Sequence, residues 1–217
     1  GTQTDAGESA NVVTSYKVIR TSDSKDVTEY YTFGDSISGK LTVSKRAVTL
    51  TSASQTREYN GTALTNSTVT VTSGSWASGE GAAYTVAGSQ LDVGESDNTF
   101  TYTLNAGTKP DNYTITPVAG KLTVNAIAAK ITVTANSVTR TYSGAPLTDS
   151  GFTFTDNVLV SGDVLTAVVT GTQTDAGESA NTVASYKVTR TSDSKDVTGN
   201  YTFAASVSGK LTVSKRL

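Results

Sequence analysis

The sequence contains no cysteine, no histidine and no methionine, and it has only three prolines and one tryptophan. The absence of cysteine and histidine excludes thiolate and imidazole catalysis, disulfide bonds and almost all zinc sites. No nucleophile–base–acid set can be assembled from the residues that remain. We therefore expect no enzymatic activity, no catalytic residue and no cofactor.

Strongly basic regions and long apolar runs are also absent. The 17 basic and 19 acidic residues give a net charge of −2, and the basic residues are scattered along the chain. Nucleic acids attract proteins through clustered positive charge, so the sequence predicts no nucleic-acid partner. No apolar run approaches the roughly 18 residues that a membrane-spanning helix needs, and we expect no membrane span.

What the sequence does contain is an internal repeat. Residues 1–46 recur at 171–216 with eight differences and a constant offset of 170. A diverged copy lies between them, because VTLTSASQTREY (48–59) matches ITVTANSVTRTY (131–142). We therefore predict the C-terminal half of a repeat unit at 1–46 and full units at 47–128 and 129–217, called copies 1, 2 and 3 below.

The segments within each copy have the pattern of β-strands. They are rich in Val, Ile, Thr, Tyr and Phe, they alternate apolar and polar residues, and Gly, Asn, Asp or Ser bounds each one. The pattern predicts an all-β chain whose units are small antiparallel β-sandwiches, immunoglobulin-like in style, in an elongated array. A β-grasp-like sheet is the alternative. Leu41, Leu122 and Leu211 are predicted core residues at one position of each copy.

Candidate ligand sites are weak. Trp76 lies in a Gly/Ser-rich segment, where it is either a ligand-binding side chain or a cover for the open end of the core. The motif Asp-x-Gly-Glu recurs in a loop of every copy, and we interpret it first as turn chemistry and second as a calcium site, because carboxylate oxygens suit that ion. Its members, the only weak metal candidates, are Asp5, Glu8, Asp92, Glu95, Asp175 and Glu178.

Five tyrosines also recur at fixed places: Tyr31, Tyr113 and Tyr201 before the last hairpin, and Tyr59 and Tyr142 after the first long strand. We interpret them as core residues whose hydroxyl groups reach a backbone carbonyl. A stacking platform for a ligand is the alternative.

Lysines recur at the start of the last strand, as Lys40, Lys121 and Lys210. One interpretation is an isopeptide crosslink to Asn112 or Asn200. The other is a solvated charge that discourages edge-to-edge aggregation of sheets.

Five short motifs follow one another in the same order in copies 2 and 3: Tyr-x-Gly-x-x-Leu, Ser-Gly-Asp/Glu, Asp-x-Gly, Asn-Tyr-Thr-Ile/Phe and Gly-Lys-Leu-Thr-Val. This series resembles the MBG-type tandem repeat domains of bacterial cell-surface and adhesin proteins, with bacterial immunoglobulin-like repeats as a near alternative. The resemblance implies a fragment of a large extracellular protein at the bacterial cell surface. It brings no catalytic residues.

From the repeat and the resemblance we expect structural stalk or spacer repeats that project a binding domain from the cell. The alternative is a repeated adhesive module that binds a glycan or a host protein through its loop tips. Neighbouring repeats of the same chain are the first expected partners. Copy 1, as half a unit, reflects a fragment boundary that ignores the repeat, a permuted unit, or strand pairing with another chain.

Overall fold

The computed structural model describes residues 1–216, apart from the side chain of Asp156. Strands make up 52% of the chain and helical turns only 5%, so the prediction of an all-β chain is confirmed. Among the described residues, no helix is long and apolar enough to cross a membrane.

The elements are short. The first part of the chain forms β1 (Gly7–Asn11), β2 (Ile19–Arg20), β3 (Lys25–Asp26), the 3₁₀ turn η1 (Thr28–Tyr30) and β4 (Gly39–Val43). The middle part forms β5 (Arg46–Ser52), β6 (Gln55–Glu58), β7 (Val69–Gly74), β8 (Ala82–Val86), β9 (Gly94–Asn98), β10 (Phe100–Leu104), η2 (Pro110–Asn112), β11 (Tyr113–Val118) and β12 (Gly120–Asn125). The last part forms β13 (Ile127–Ile131), β14 (Val133–Ala135), β15 (Val138–Thr141), β16 (Phe152–Phe154), η3 (Asp156–Val158), β17 (Asp163–Thr170), β18 (Gly177–Arg190), β19 (Lys195–Asp196), η4 (Thr198–Asn200), β20 (Tyr201–Phe203) and β21 (Gly209–Ser214).

The chain divides into two compact units whose limits lie inside copy 2. Unit 1 comprises Gly1–Ser52, Thr68–Thr85 and Phe100–Ala119, and unit 2 comprises Ala53–Ser67, Val86–Thr99 and Gly120–Leu217. Unit 1 therefore combines copy 1 with part of copy 2, and unit 2 combines the remaining strands of copy 2 with copy 3. The copy boundaries at 46/47 and 128/129 stay predictions from the sequence repeat.

Unit 1 contains the three-stranded sheet β11-β5-β7 and the pairs β8–β10, β1–β4 and β2–β3. Strand β5 is central, and its alternate residues Val48 and Leu50 are at most 1% exposed. With Tyr113 they form one core cluster, against which Trp76 and Tyr84 also pack.

Unit 2 contains the sheets β6-β12-β9 and β15-β21-β18-β17, with β19 beside β18, and the pairs β13–β20 and β14–β16. Its main core joins the two copies, because Tyr59, Leu64 and Leu122 of copy 2 belong to one buried cluster with Ile131 and Leu165 of copy 3. Burial of each such aliphatic side chain contributes roughly 1.5–3 kcal/mol.

Four strand pairs run parallel, so the predicted antiparallel arrangement is wrong for β5–β11, β6–β12, β13–β20 and β15–β21. In each pair an early strand of a copy lies beside a late one. Parallel neighbours need a connection of about a dozen residues or more, and the intervening strands provide it. Alternation of side chains does not reveal direction, because it has the same period of two in both kinds of pair.

The predicted leucine core is confirmed where the surrounding sheet is complete. Leu122 and Leu211 are fully buried, whereas Leu41 is only half-buried. Strand β21 pairs with both β18 and β15, but among the described residues β4 pairs with β1 alone. The missing neighbour leaves Leu41 accessible on that side.

Candidate junction between consecutive copies

In unit 2, the Asp-x-Gly loop of copy 2 meets copy 3 through a two-point amide contact. The Val93 N–H donates to Asn200 Oδ1 at 2.8 Å, and Asn200 Nδ2 donates to Asp92 Oδ1 at 3.0 Å. Two cations complete the site, with Arg190 Nη1 at 2.7 Å from Asp92 Oδ1 and Lys195 Nζ at 2.6 Å from Asp92 Oδ2. The carboxylate of one copy is thus enclosed by donors of the next.

Unit 1 contains the same arrangement between copies 1 and 2. The Ala6 N–H donates to Asn112 Oδ1 at 2.7 Å, and Asn112 Nδ2 donates to Asp5 Oδ1 at 2.9 Å. Lys109 Nζ lies 2.6 Å from Asp5 Oδ2. The contact therefore occurs twice in the chain, with the same atoms of the aspartate loop and of the asparagine.

Local structure holds both sides of this contact. Each asparagine ends a 3₁₀ turn directly before a strand, at Pro110–Asn112 and Thr198–Asn200. In the loop, the side chain of Gln90 donates to the Asp92 carbonyl at 2.8 Å, and Gly94 has a φ of 140°, in the region that favours glycine. The loop and the turn are thus both fixed by interactions inside their own copies.

The two contacts differ in how far their charged side chains are exposed to solvent. The Arg190 side chain is only 9% exposed, and that of Asp92 is 22% exposed. The Arg190 guanidinium, followed by Lys195 and Asn200, holds the pKa of the Asp92 carboxyl well below its usual range, against the effect of burial. Asp5 is 46% exposed, and hydrogen bonds from Asn112 and then Lys109 lower its pKa. The contact in unit 2 is the better shielded from solvent.

A buried tyrosine pair lies in the same core of unit 2. The Tyr201 hydroxyl donates to Asp163 Oδ2 at 2.6 Å and accepts from the Val160 N–H at 3.1 Å. Tyr59 of the preceding copy donates to the same Asp163 oxygen at 3.0 Å, and its ring packs edge-on to Tyr201 at 5.8 Å. Burial raises the pKa of both hydroxyls. Both tyrosines are therefore core residues that join two copies.

The predicted backbone-carbonyl partner of these tyrosines is wrong. In copy 2 the Tyr113 hydroxyl accepts from the Ala77 N–H at 2.9 Å and donates to the Glu80 carboxylate. The acceptor in both copies is therefore the acid of the Ser-Gly-Asp/Glu turn.

Trp76, the weak ligand candidate, packs edge-on against Tyr113 with centroids 4.9 Å apart. It forms part of the core periphery.

In copy 3, the counterparts of Tyr59 and of the junction aspartates are exposed to solvent. Tyr142 is 41% exposed, whereas Tyr59 at the same place in copy 2 is 3% exposed. Asp175, the counterpart of Asp5 and Asp92, is exposed and belongs to none of the ion pairs among residues 1–216. Among residues 1–216, the same loop is therefore present a third time with no ion pair at its aspartate.

The glutamates of the motif do not lie with the aspartates. Glu8 accepts from Lys40 at 2.6 Å and Glu178 accepts from Lys210 at 2.9 Å, while Glu95 lies 3.2 Å from Lys121, each across adjacent strands. The described residues contain no group of three or more acidic side chains that could hold a metal ion.

The recurring lysines and asparagines are likewise apart. Lys121 also lies 2.9 Å from Asp97, and its side chain is 54% exposed. Asn112 and Asn200 instead contact Asp5 and Asp92. The lysines are thus solvated and ion-paired, away from the asparagines of the crosslink interpretation, but Lys121 and Lys210 lie on central strands and not at a sheet edge.

Neither the amide contact nor the cation beside it was predicted from the sequence. The amide contact joins residues more than 100 positions apart, and its cation moves from Lys109 to Lys195 because the hairpin before Asn200 is longer. The available signal was that two separate features recur between copies: the asparagine at Asn112 and Asn200, and the Asp-x-Gly loop. Only the fold shows that they meet across two copies.

Neither a protein-family model nor a curated protein matches this chain.

Proposed function

We propose that these copies are structural stalk or spacer repeats of a bacterial cell-surface adhesin of MBG type, joined in series and carrying no catalytic site. In this proposal the copies are small β-sandwich-like modules at the extracellular face of the cell. Their partners are the neighbouring copies of the same chain, and their role is to add length beneath a binding domain.

The recurring junction is the observation that supports the proposal. The Asp-x-Gly loop contacts the asparagine of the following copy both at Asp5–Asn112 and at Asp92–Asn200. A flexible linker would need no such contact, whereas repeats that bear load or hold a direction gain stability from each neighbour. The uncovered face around Asp175 has the same chemistry for one more copy.

Addition of one copy tests the proposal. A second copy of residues 47–128, joined directly after Arg216, reproduces the Arg46–Ala47 connection of the chain. We expect small-angle X-ray scattering to show the maximum dimension increasing by roughly 30–40 Å, the length of strands of six to ten residues with their loops. An unchanged maximum dimension would count against a spacer.

The adhesive alternative has less support. Trp76, the single tryptophan, packs on Tyr113 instead of standing free on a loop tip. The Asp-x-Gly loops, which recur most faithfully, contact the next copy in two of three cases. Binding of the chain to host glycans or matrix proteins, lost on substitution of loop-tip residues, would favour this alternative.

A further inference from the structure

The turn at Asn60 and Gly61 follows β6 in copy 2 and lies against copy 3. It comes directly after Tyr59, whose hydroxyl donates to Asp163 of the next copy at 3.0 Å. A Cβ atom on Gly61 would lie only 2.6 Å from Val160 Cγ1, so the backbone of the turn packs closely on copy 3. A change in the backbone of this turn therefore acts on the contact between the two copies.

Asn60 and Gly61 also form the one Asn-Gly pair in the sequence. Asparagine is a thermolabile residue, because the next backbone nitrogen can attack its side-chain carbonyl carbon, and a glycine has no Cβ atom to shield that nitrogen. Gly61 has a φ of 77°, in the region that favours glycine. Among residues 1–216 its N–H donates to no backbone carbonyl. The attacking nitrogen is therefore unhindered.

Thr62 holds the side chain of Asn60 in one orientation. The Thr62 N–H donates to Asn60 Oδ1 at 3.1 Å, and the Thr62 hydroxyl donates to the same oxygen at 2.8 Å. Arg57 Nη2 in turn donates to that hydroxyl oxygen at 3.1 Å. These donors point at the atom that gains negative charge when the carbonyl carbon is attacked, which is how an oxyanion is stabilised.

We propose that Asn60 and Gly61 form a self-modification site, where closure of a succinimide ring loosens the contact with copy 3 as the protein ages. Hydroxide removes the Gly61 amide proton, the Gly61 nitrogen bonds to Asn60 Cγ, and the bond from Cγ to Nδ2 breaks. The leaving nitrogen takes a proton from water and departs as ammonia. Water then opens the ring at either carbonyl to give aspartate or isoaspartate, and no atom is oxidised or reduced.

The product disturbs the contact because isoaspartate lengthens the backbone by one methylene group. Val160 occupies the space beside Gly61, so the longer turn displaces either Val160 or the neighbouring Tyr59. Copy 3 has Ser143 and Gly144 at the same place, and serine has no carbonyl carbon to form the ring. The site is therefore particular to copy 2, and it does not depend on the stalk proposal.

Incubation of the full chain in mildly alkaline buffer, below its unfolding temperature, tests the chemistry by peptide mapping with mass spectrometry. We expect succinimide and isoaspartate at Asn60 before any other asparagine changes, at a rate that rises with pH. Thr62→Val keeps the backbone N–H but removes the hydroxyl donor, and we expect about tenfold slower conversion in this variant. Far-UV circular dichroism shows that the variant is folded. An unmodified Asn60, or equally fast conversion in folded Thr62→Val, would overturn the proposal.

Asn60→Ser, which copies the residue of copy 3, is the matched control for the effect on the contact. Once most of the native chain carries the product, we expect it to unfold at a lower urea concentration than the fresh chain. The Asp163 amide, which donates to the Val160 carbonyl at 3.0 Å, should also exchange faster. The Asn60→Ser chain, incubated for the same time, should change in neither respect. Equal stability of the fresh and modified native chains would overturn the proposed loosening.

Discussion

The Asp-x-Gly loop offers one substitution that can be made in a covered and an uncovered setting of the same chain. Asp92→Ala removes a carboxylate that accepts from Arg190, Lys195 and Asn200. Asp175→Ala removes the same group where no ion pair involves it among residues 1–216. The two variants have the same composition, so any difference in stability comes from the contact with the following copy.

The expected loss of unfolding free energy depends on how exposed the two cations beside Asp92 are. The Arg190 side chain is 9% exposed, and a hydrogen bond to a charged group of this kind contributes about 1.5–3 kcal/mol. The Lys195 side chain is 58% exposed and can return to water, so its ion pair contributes only about 0.2–1 kcal/mol. We therefore expect Asp92→Ala to lower the free energy of unfolding by about 2–4 kcal/mol.

The control substitution, Asp175→Ala, should change the free energy of unfolding by less than about 0.5 kcal/mol, as exposed positions usually do. Urea unfolding followed by far-UV circular dichroism measures both values. Hydrogen exchange should also show faster exchange of the Val93 amide in Asp92→Ala, because its acceptor Asn200 loses a partner. Equal destabilisation by the two substitutions would refute the junction as a source of stability.

Three further predictions concern the pH dependence of the junction and two other buried hydrogen-bonded side chains. The stability that Asp92 contributes should be complete above pH 4, near the ordinary aspartate pKa of about 3.9. It should decline as the pH falls towards the lowered pKa of Asp92 in the folded chain. The free energies of unfolding of the native and Asp92→Ala chains, measured in urea, should therefore converge in acid. Tyr201→Phe should cost about 1–3 kcal/mol because the buried Asp163 carboxylate loses a donor, whereas Tyr31→Phe, at a residue that is 57% exposed, should be nearly neutral in thermal unfolding. Asn98→Ala should cost about 1–3 kcal/mol in the same assay, since its fully buried amide donates to two carbonyls.

The sequence was sufficient for the class of the fold and for its core rows. Alternation and β-branched residues predict strands, and a leucine at the same place in each copy predicts the burial of Leu122 and Leu211. Strand direction was predicted wrongly in four pairs, because side-chain alternation contains no information about it. The pairing of early with late strands in a copy is a property of the whole chain path.

The candidate site was only half visible in the sequence. Its aspartates were selected, but as turn residues or calcium ligands, since their nearest charged neighbour along the chain is a glutamate. The fold separates that pair and places Glu95 against Lys121 and Asp92 against Arg190. The hydrogen bond to the acid of the Ser-Gly-Asp/Glu turn was also not predicted, because its donor is distant in sequence. Tyr201, the donor to Asp163, lies 38 residues further along the chain.

The central claim is that consecutive copies join in series through the aspartate loop and the asparagine of the next copy. Hydrogen exchange at the Ala176 amide tests it most directly, in the chain extended by residues 47–128 after Arg216. The account predicts slow exchange in the extended chain, as the added Asn112 accepts from this amide, and fast exchange when the added copy carries Asn112→Ala. Exchange at Ala176 that is equally fast with and without the added copy would contradict the account.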